Sequence, residues 1–224
     1  MKAAYDAFGH GGFAALADHL AALQRVLDHA PKGFQVVQEG PTEVVYGGRE
    51  MGRFLALSAE IQAQAKAAGQ SPKAVTWRQS PYPEASLLIG SYYNEQRQWD
   101  RALPILQRGL KLSPADPKLV TETGSTLCQS RRCDQALPLY AQILATDPVL
   151  SAQDRARILR AQGYALTELN RLDAAEQAYN DSLKFEPDHQ GARHELAYIA
   201  HLRAGAAPAA GVLSTADKAR KGEY

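Results

Sequence analysis

The sequence predicts a mainly α-helical protein, in which a solenoid of helix pairs follows a small α-β-β-α-β module. Three observations support this prediction. A pattern of glycine, alanine and proline recurs after 34 residues and again after 39. Apolar residues follow a helical period through much of the chain. Short β-rich runs occur only near the N-terminus, which places the strands before the helical array.

Length and charge restrict the classes of function. The chain has 224 residues, of which 45% are hydrophobic, and a formal net charge of +1. A balanced charge argues against a general binder of nucleic acid or of anionic membranes. No stretch approaches the ~18 uninterrupted apolar residues that a membrane helix needs, and no signal-peptide core is evident. We therefore expect a cytoplasmic protein that binds neither nucleic acid nor membrane.

Three kinds of small or rigid residue recur in register. They are Gly90, Gly124 and Gly163; Ala102, Ala136 and Ala175; and Pro114, Pro148 and Pro187. The glycines and alanines would let two paired helices approach closely. Each proline would end a second helix, since the residue before a proline is pushed out of the α region.

This register resembles the tetratricopeptide repeat, a 34-residue helix–turn–helix unit. The resemblance covers residues 83–116, 117–150 and 156–189, followed by a capping helix, within a domain spanning residues 81–205. It implies a concave face lined by the first helix of each pair, and it implies protein binding as the function.

Several details of the array can be predicted. Asp100, Asp134 and Asp173 are expected to be N-caps of the second helices. Ser151 and Asp154 suggest a capping pair and an extra turn in the first helix of repeat three. The segment 206–224 is rich in Ala, Gly and Lys, and we expect it to be disordered.

The first 80 residues form the predicted α/β module. A helix is expected over the apolar positions from Phe13 to Leu27, and another from about Met51 to Ala68. Strands are expected at 34–38, 42–47 and 73–77. We interpret the module mainly as a cover for the apolar face of the first repeat. A separate binding surface on its hairpin or sheet edge is the alternative.

No catalytic or metal motif is complete. Tyr198 occupies the position where an HExxH zinc site needs its second histidine, and GHGG at 9–12 lacks the strand and the Lys-Ser/Thr of a phosphate loop. The sequence therefore predicts no enzyme, no cofactor and no metal. Cys128 and Cys133 are expected to be free thiols, because a helix end and the following turn would not bring them within bonding distance.

The concave face supplies the candidate binding residues. They are Asn94, Thr121, Ser125, Arg157, Arg160, Tyr164, His194, Tyr198 and His201. Arginine and tyrosine are common binding hot spots, so we expect the third-repeat end to hold an acidic or aromatic-acidic peptide of another protein. Arg160 is expected to point into solvent.

The sequence pattern argues against one well-known use of the repeat, the two-carboxylate clamp that binds the C-terminal tail of chaperones. Its basic and amide positions correspond here to Leu87, Ser91, Glu122, Arg157 and Ala161. Only Arg157 would serve, so the sequence predicts that a chaperone tail is not the partner.

Two other functions stay open. One is a small-ligand receptor or an enzyme with a site in the N-terminal module or at its junction with repeat one. A compact pocket lined by ionisable groups would favour it, whereas an open groove would favour protein binding. The other is a structural subunit of a larger complex.

Overall fold

The computed structural model describes residues 2–205. The segment 206–224, for which the sequence predicts disorder, lies outside the described residues. Before the array, the elements are α1 (Lys2–Leu16), a 3-10 turn (Ala17–His19), α2 (Leu20–Asp28), β1 (Val37–Glu39), β2 (Glu43–Tyr46), α3 (Met51–Ala67) and β3 (Ala74–Trp77).

The three strands form one small sheet in the order β1-β2-β3. β1 pairs antiparallel with β2, as the predicted hairpin requires, and β3 returns parallel to β2 after the α3 crossover. Phe54 of α3 stacks on Trp77 of β3, with ring centroids 5.4 Å apart. This contact between aromatic rings seats α3 on the sheet.

The first predicted helix is divided in the structure. Phe13 and Leu16 belong to the end of α1, whereas Leu23 and Leu27 belong to α2, and the 3-10 turn separates them. Gly12 has φ 60°, which breaks the regular helical path inside α1. The apolar spacing of 3 and 4 continues across this division, so the sequence pattern could not reveal it.

α1 and α2 pack on the array rather than on the sheet. Leu16, Leu23 and Leu27 are buried in one cluster with Leu88 and Ile89 of the first repeat. Burial of apolar surface on this scale is the main stabilising term in a fold. The two N-terminal helices therefore cover the outer face of the first repeat, the role that the sequence suggested for the module as a whole.

The array has the predicted seven helices between residues 81 and 203. They are α4 (Pro81–Glu95), α5 (Trp99–Leu112), α6 (Pro117–Gln129), α7 (Cys133–Thr146), α8 (Ala152–Glu168), α9 (Leu172–Leu183) and α10 (Gln190–Arg203). Helices α4–α9 form three consecutive pairs and α10 covers the last one. The described chain is thus mainly α-helical, as predicted.

The recurring glycines lie where an aromatic or leucine side chain of the paired helix crosses them. A Cβ at Gly163 would lie 2.8 Å from the ring of Tyr179, and one at Gly124 would overlap the ring of Tyr140. Both tyrosines are buried. The glycine therefore makes room for the side chain that fills the space between the two helices.

The predicted aspartate N-caps are wrong. The N-cap residues of α5, α7 and α9 are Gln98, Arg132 and Arg171, and none of them makes a side-chain capping bond. The second helices begin earlier than expected because a residue with positive φ, such as Arg131 at 61°, turns the chain sharply after each first helix. The aspartates fall in the first helical turn, where their charge still favours the helix dipole.

The same turn places Cys128 beside Cys133. The two cysteines form a disulfide, with Cα atoms 4.2 Å apart, which corrects the prediction of two free thiols. The Arg132 amide donates to the carbonyl of Leu127, closing the chain tightly between α6 and α7. The prediction placed Cys133 in the turn, out of bonding distance of Cys128, whereas the left-handed residue Arg131 brings the first residue of α7 back to the last turn of α6.

The predicted start of repeat three is confirmed. Ser151 is the N-cap of α8 and accepts a hydrogen bond from the Asp154 amide at 3.0 Å. α8 has 17 residues, against 13 in α6, so the extra residues lengthen the helix by about one turn. Within residues 2–205, no helix is both long and apolar enough to cross a membrane.

Candidate functional site

The first helices of the repeats line one continuous face. α4 contacts α6, α6 contacts α8, and α8 contacts α10, while each second helix packs on its own first helix. We call the surface formed by α4, α6, α8 and α10 the groove. All nine predicted binding residues lie on these four helices.

At the first-repeat end, Asn94 is part of the interior rather than the surface. It is buried, and its Nδ2 donates to Glu122 Oε1 and to Thr126 Oγ1, both at 2.7 Å. These bonds join α4 to α6. Asn94 therefore sets the spacing between two first helices, and it is not exposed to a ligand.

The two predicted hydroxyls in the middle of the groove are half-buried. Thr121 Oγ1 donates to the carbonyl of Pro117 at 2.8 Å, and Ser125 Oγ accepts from Gln129 Nε2 at 3.1 Å. Both hydroxyls are thus used within α6 itself. They form the wall of the groove without an unsatisfied polar group.

Both predicted arginines are ion-paired within the chain. Arg157 pairs with Asp154 on its own helix at 2.5 Å, and Arg160 pairs with Glu186, which follows α9. The Arg160 side chain is only 17% exposed, so the expectation that it points into solvent is wrong. The turn after α9 folds back against α8 and carries Glu186 onto the guanidinium.

Tyr164 lies at the centre of the third-repeat end, near the buried tyrosines of two second helices. Burial raises the pKa of Tyr140, and the charge of Glu122 and the neighbouring Tyr164 raise it further. Burial likewise raises the pKa of Tyr179, followed by the effects of Glu195 and Tyr164. Beneath the third-repeat end of the groove, the buried rings of Tyr140 and Tyr179 therefore lie near the carboxylates of Glu122 and Glu195.

The capping helix α10 carries the remaining candidates. Tyr198 is half-buried, whereas His194 and His201 are exposed. His189 is the N-cap of this helix, and its Nδ1 accepts from the Ala192 amide at 3.1 Å. Burial and the nearby charge of Arg160 lower the pKa of His189, so this cap is kept neutral. The charge of Arg160 therefore acts on His189 at the start of α10, whereas His194 and His201 lie at the surface.

A second feature was missed at the sequence level: two arginines of the α3 region hold the module against the array. Arg49 pairs with Glu84 of α4 and with Asp116, the N-cap of α6, at 2.9 Å. Arg53 pairs with Asp147 and donates to the carbonyl of Ala115 at 3.0 Å. The carboxylates lie 35 to 94 residues away along the chain, and no local pattern in a single sequence connects them to these arginines.

The carboxylates at this contact are strongly affected by burial. Burial and the Asp116 charge raise the pKa of Glu84 to about 7, although Arg49 lies against it. Burial and the same aspartate also raise the pKa of Glu50. Charged groups removed from water in this way are costly unless they are paired.

A cleft of about 400 Å³ lies between α3 and the loops that follow α5 and α7. We call it the junction cleft. The residues that line it are Val36, Val37, Tyr46, Glu50, Arg53, Ala56, Leu57, Glu60, Ser113, Pro114, Ala115, Thr146, Asp147, Pro148 and Val149. It is a compact pocket with ionisable groups, the feature that would favour a small-ligand site at the junction.

Comparison with solved structures identifies the array. The NMR structure of the first TPR domain of human RPAP3 matches 55% of this chain and 93% of that domain, with a TM-score of 0.50 and 22% identity. This chain has the tetratricopeptide-repeat fold. The three tetratricopeptide repeats and the capping helix are therefore shown. A sequence identity of 22% supports a shared fold, but it does not identify a shared binding partner.

Curated relatives of the tetratricopeptide-repeat chain are much longer proteins. Human protein O-mannosyl-transferase TMTC1 is 24% identical over 187 residues, 82% of this chain and 20% of the relative. The peroxisomal targeting signal 1 receptor of Dictyostelium discoideum is 34% identical over 61 residues, 27% of this chain and 10% of the receptor. The chain thus spans a fifth or less of these relatives. No protein-family model matches the sequence.

The exclusion of a chaperone tail needs correction. The first TPR of Spaghetti (RPAP3), solved bound to the HSP90 peptide SRMEEVD, matches 55% of this chain at 22% identity, with a TM-score of 0.49. One of the structures similar to this chain is thus a tetratricopeptide-repeat domain in complex with a chaperone peptide. The absence of clamp residues at Leu87, Ser91 and Ala161 was too narrow a ground for excluding this class of partner.

Proposed function

We propose that this tetratricopeptide-repeat protein is an interaction module that binds a segment of a partner protein in the third-repeat end of the groove, without catalysis. The observation that carries the proposal is the placement of Arg157, Arg160 and Tyr164 on α8 next to Tyr198 on α10. The opposite end of the groove is less suited, because Asn94 is buried there.

Tyrosine and arginine side chains favour a partner segment with aromatic and acidic residues. A partly buried tyrosine offers a large ring at low cost in conformational entropy, and such rings dominate many interfaces. Arg160 can bind a carboxylate bidentately, but it already holds Glu186. An acidic residue of the partner would therefore replace Glu186, whose side chain is 28% exposed, rather than meet an unpaired cation.

Selection from a random peptide library displayed on phage tests this proposal with the full chain as bait. Peptides rich in acidic and aromatic residues are expected. Affinities of the selected peptides are then measured for Tyr164→Ala, where removal of a hot-spot ring should weaken binding about 30-fold. The matched control is Lys111→Met on the second helix α5, which should bind like the unmodified chain.

The exchange of carboxylates at Arg160 gives a sharper test. Glu186→Gln removes the intramolecular competitor and should strengthen binding of an acidic peptide, whereas Arg160→Met should weaken it. The HSP90 peptide SRMEEVD serves as a defined acidic probe alongside the selected peptides. Selected peptides that bind Tyr164→Ala, Arg160→Met and the unmodified chain equally would place the binding surface outside the groove.

A further inference from the structure

The junction cleft has the size and the walls of a small-molecule site. Its volume of about 400 Å³ falls within the range of roughly 300–1,000 Å³ that such sites occupy. Its apolar lining includes Val37 of β1 and Leu57 of α3 together with Pro148 and Val149 of the array. The walls are therefore mainly apolar and come from both parts of the chain.

The charged groups on the cleft give it a negative balance. Four ionisable side chains that carry charge line it: Glu50, Arg53, Glu60 and Asp147. Arg53 and Asp147 are bound to each other and cancel. Glu50 and Glu60 have no cation of their own among the lining residues, so the cleft favours a positively charged ligand.

Glu50 is held in a fixed orientation at the cleft. Its Oε2 accepts from the Tyr46 hydroxyl at 2.9 Å and from the Arg49 amide at 3.1 Å, which leaves acceptor capacity on the carboxylate. The nearby Arg49 guanidinium is occupied by Glu84 and Asp116. Burial and the Asp116 charge raise the pKa of Glu50, so a bound cation would stabilise a carboxylate that the protein itself stabilises poorly.

We propose that the junction cleft binds a small organic cation, whose ammonium or amidinium group pairs with Glu50 and whose apolar body packs on Val37, Leu57 and Val149. This site is independent of the groove. Lys118 and Asp154, which lie where α6 and α8 begin, line a neighbouring cleft that shares Glu50, Arg53, Asp147 and Val149 with the junction cleft.

Three probes of equal length separate charge from apolar contact: hexylammonium, hexanol and hexanoate, titrated into the full chain by calorimetry or ligand-observed NMR. Hexylammonium should bind at least about tenfold more tightly than hexanol, the scale of one charge-assisted hydrogen bond. Hexanoate should bind most weakly, because its charge is repelled by Glu50 and Glu60. Equal binding of hexylammonium and hexanol, or no binding of either, overturns the proposal.

Variants locate the site. Glu50→Gln keeps an acceptor for Tyr46 and should lower the affinity for hexylammonium to that for hexanol, while hexanol binding stays unchanged. Ala56→Trp fills the cleft and should abolish binding of both. Glu39→Gln, an exposed carboxylate on β1 outside the cleft, is the matched control and should have no effect.

The source of the cation is tested with an acetylated and amidated peptide that contains one lysine. A small-molecule site should bind hexylammonium more tightly than this peptide, because a volume of about 400 Å³ suits a small molecule. Tighter binding of the peptide would overturn the assignment to a small molecule, and unchanged hexylammonium binding by Glu50→Gln would overturn the assignment to Glu50.

Discussion

The two ends of the array are covered in different ways. At the N-terminal end, α1 and α2 pack on the first repeat, and the α/β module adds buried ion pairs through Arg49 and Arg53. At the C-terminal end, one helix, α10, packs Ile199 against α9 and adds ion pairs at the surface through Arg203. Both ends bury apolar surface, but the ion pairs of Arg49 and Arg53 are buried, whereas those of Arg203 lie at the surface.

Exposure decides what these ion pairs contribute. The Arg49 side chain is 16% exposed and its partner Asp116 is 3% exposed, whereas Arg203 is 39% exposed and its partner Asp173 is 99% exposed. Removing one member of a buried pair leaves an uncompensated charge, which is costly. Removing an exposed pair costs little, because water replaces the partner. The difference predicts that the free energy of unfolding is sensitive to removal of Arg49 and insensitive to removal of Arg203.

The largest expected effect is at Arg49. Arg49→Met leaves Glu84 and Asp116 without their guanidinium and should lower the free energy of unfolding by about 4 kcal/mol at pH 8. The loss should be smaller at pH 5, because the pKa of Glu84 is already raised to about 7 and its protonation removes one of the two charges. Urea denaturation monitored by far-UV circular dichroism measures both values.

Arg203→Met is the matched control for this comparison. It removes the same kind of side chain from an exposed pair at the other end, and no measurable change is expected. If both variants lose the same free energy of unfolding, or if neither does, then burial does not decide what these two ion pairs contribute.

Buried apolar side chains should contribute equally to the free energy of unfolding at both ends. Leu23 on α2 and Ile199 on α10 are each 1% exposed. Leu23→Ala and Ile199→Ala should each cost about 3 kcal/mol, since both remove buried methyl groups and leave a cavity. The same denaturation experiment measures both. A cost below 1 kcal/mol at either end would show that this helix is not needed to cover the array.

The smallest measurable effect expected is the pH response of α10. His189 caps the helix as a neutral imidazole, and its pKa is lowered from 6.5 by burial and by Arg160. The stabilisation by this cap is complete above pH 6.5 and is lost as the pH falls through the lowered pKa of the folded state. His189→Asn keeps an N-cap acceptor without a titrating ring.

The loss in the unmodified chain should be about 1 kcal/mol, the usual value of an N-cap, and it should be absent in His189→Asn. Thermal unfolding of both chains between pH 7.5 and pH 5 measures the difference. Parallel pH profiles would mean that the cap at His189 does not stabilise α10.

The repeated elements could be predicted because each depends on contacts within one 34-residue unit. Gly124 and Gly163 lie where Tyr140 and Tyr179 of the next helix pass, and their spacing is visible in the chain. The strands and α3 were also predictable, because their periodicity is local. The candidate groove residues were placed on the correct helices for the same reason. Their environment was not: Asn94 is buried and Arg160 is paired.

The sequence by itself determined the helix pairs, their register and the face that each pair turns inward, since close packing between neighbours in the chain dictates which residue types fit. Only the tertiary structure decided the disulfide, the division of the first helix and the ion pairs of Arg49 and Arg53. These depend on backbone turns such as that at Arg131, or on partners up to 94 residues distant. The energy of such contacts depends on how deeply the groups are buried in the assembled fold. It therefore cannot be predicted from the order of residue types along the chain.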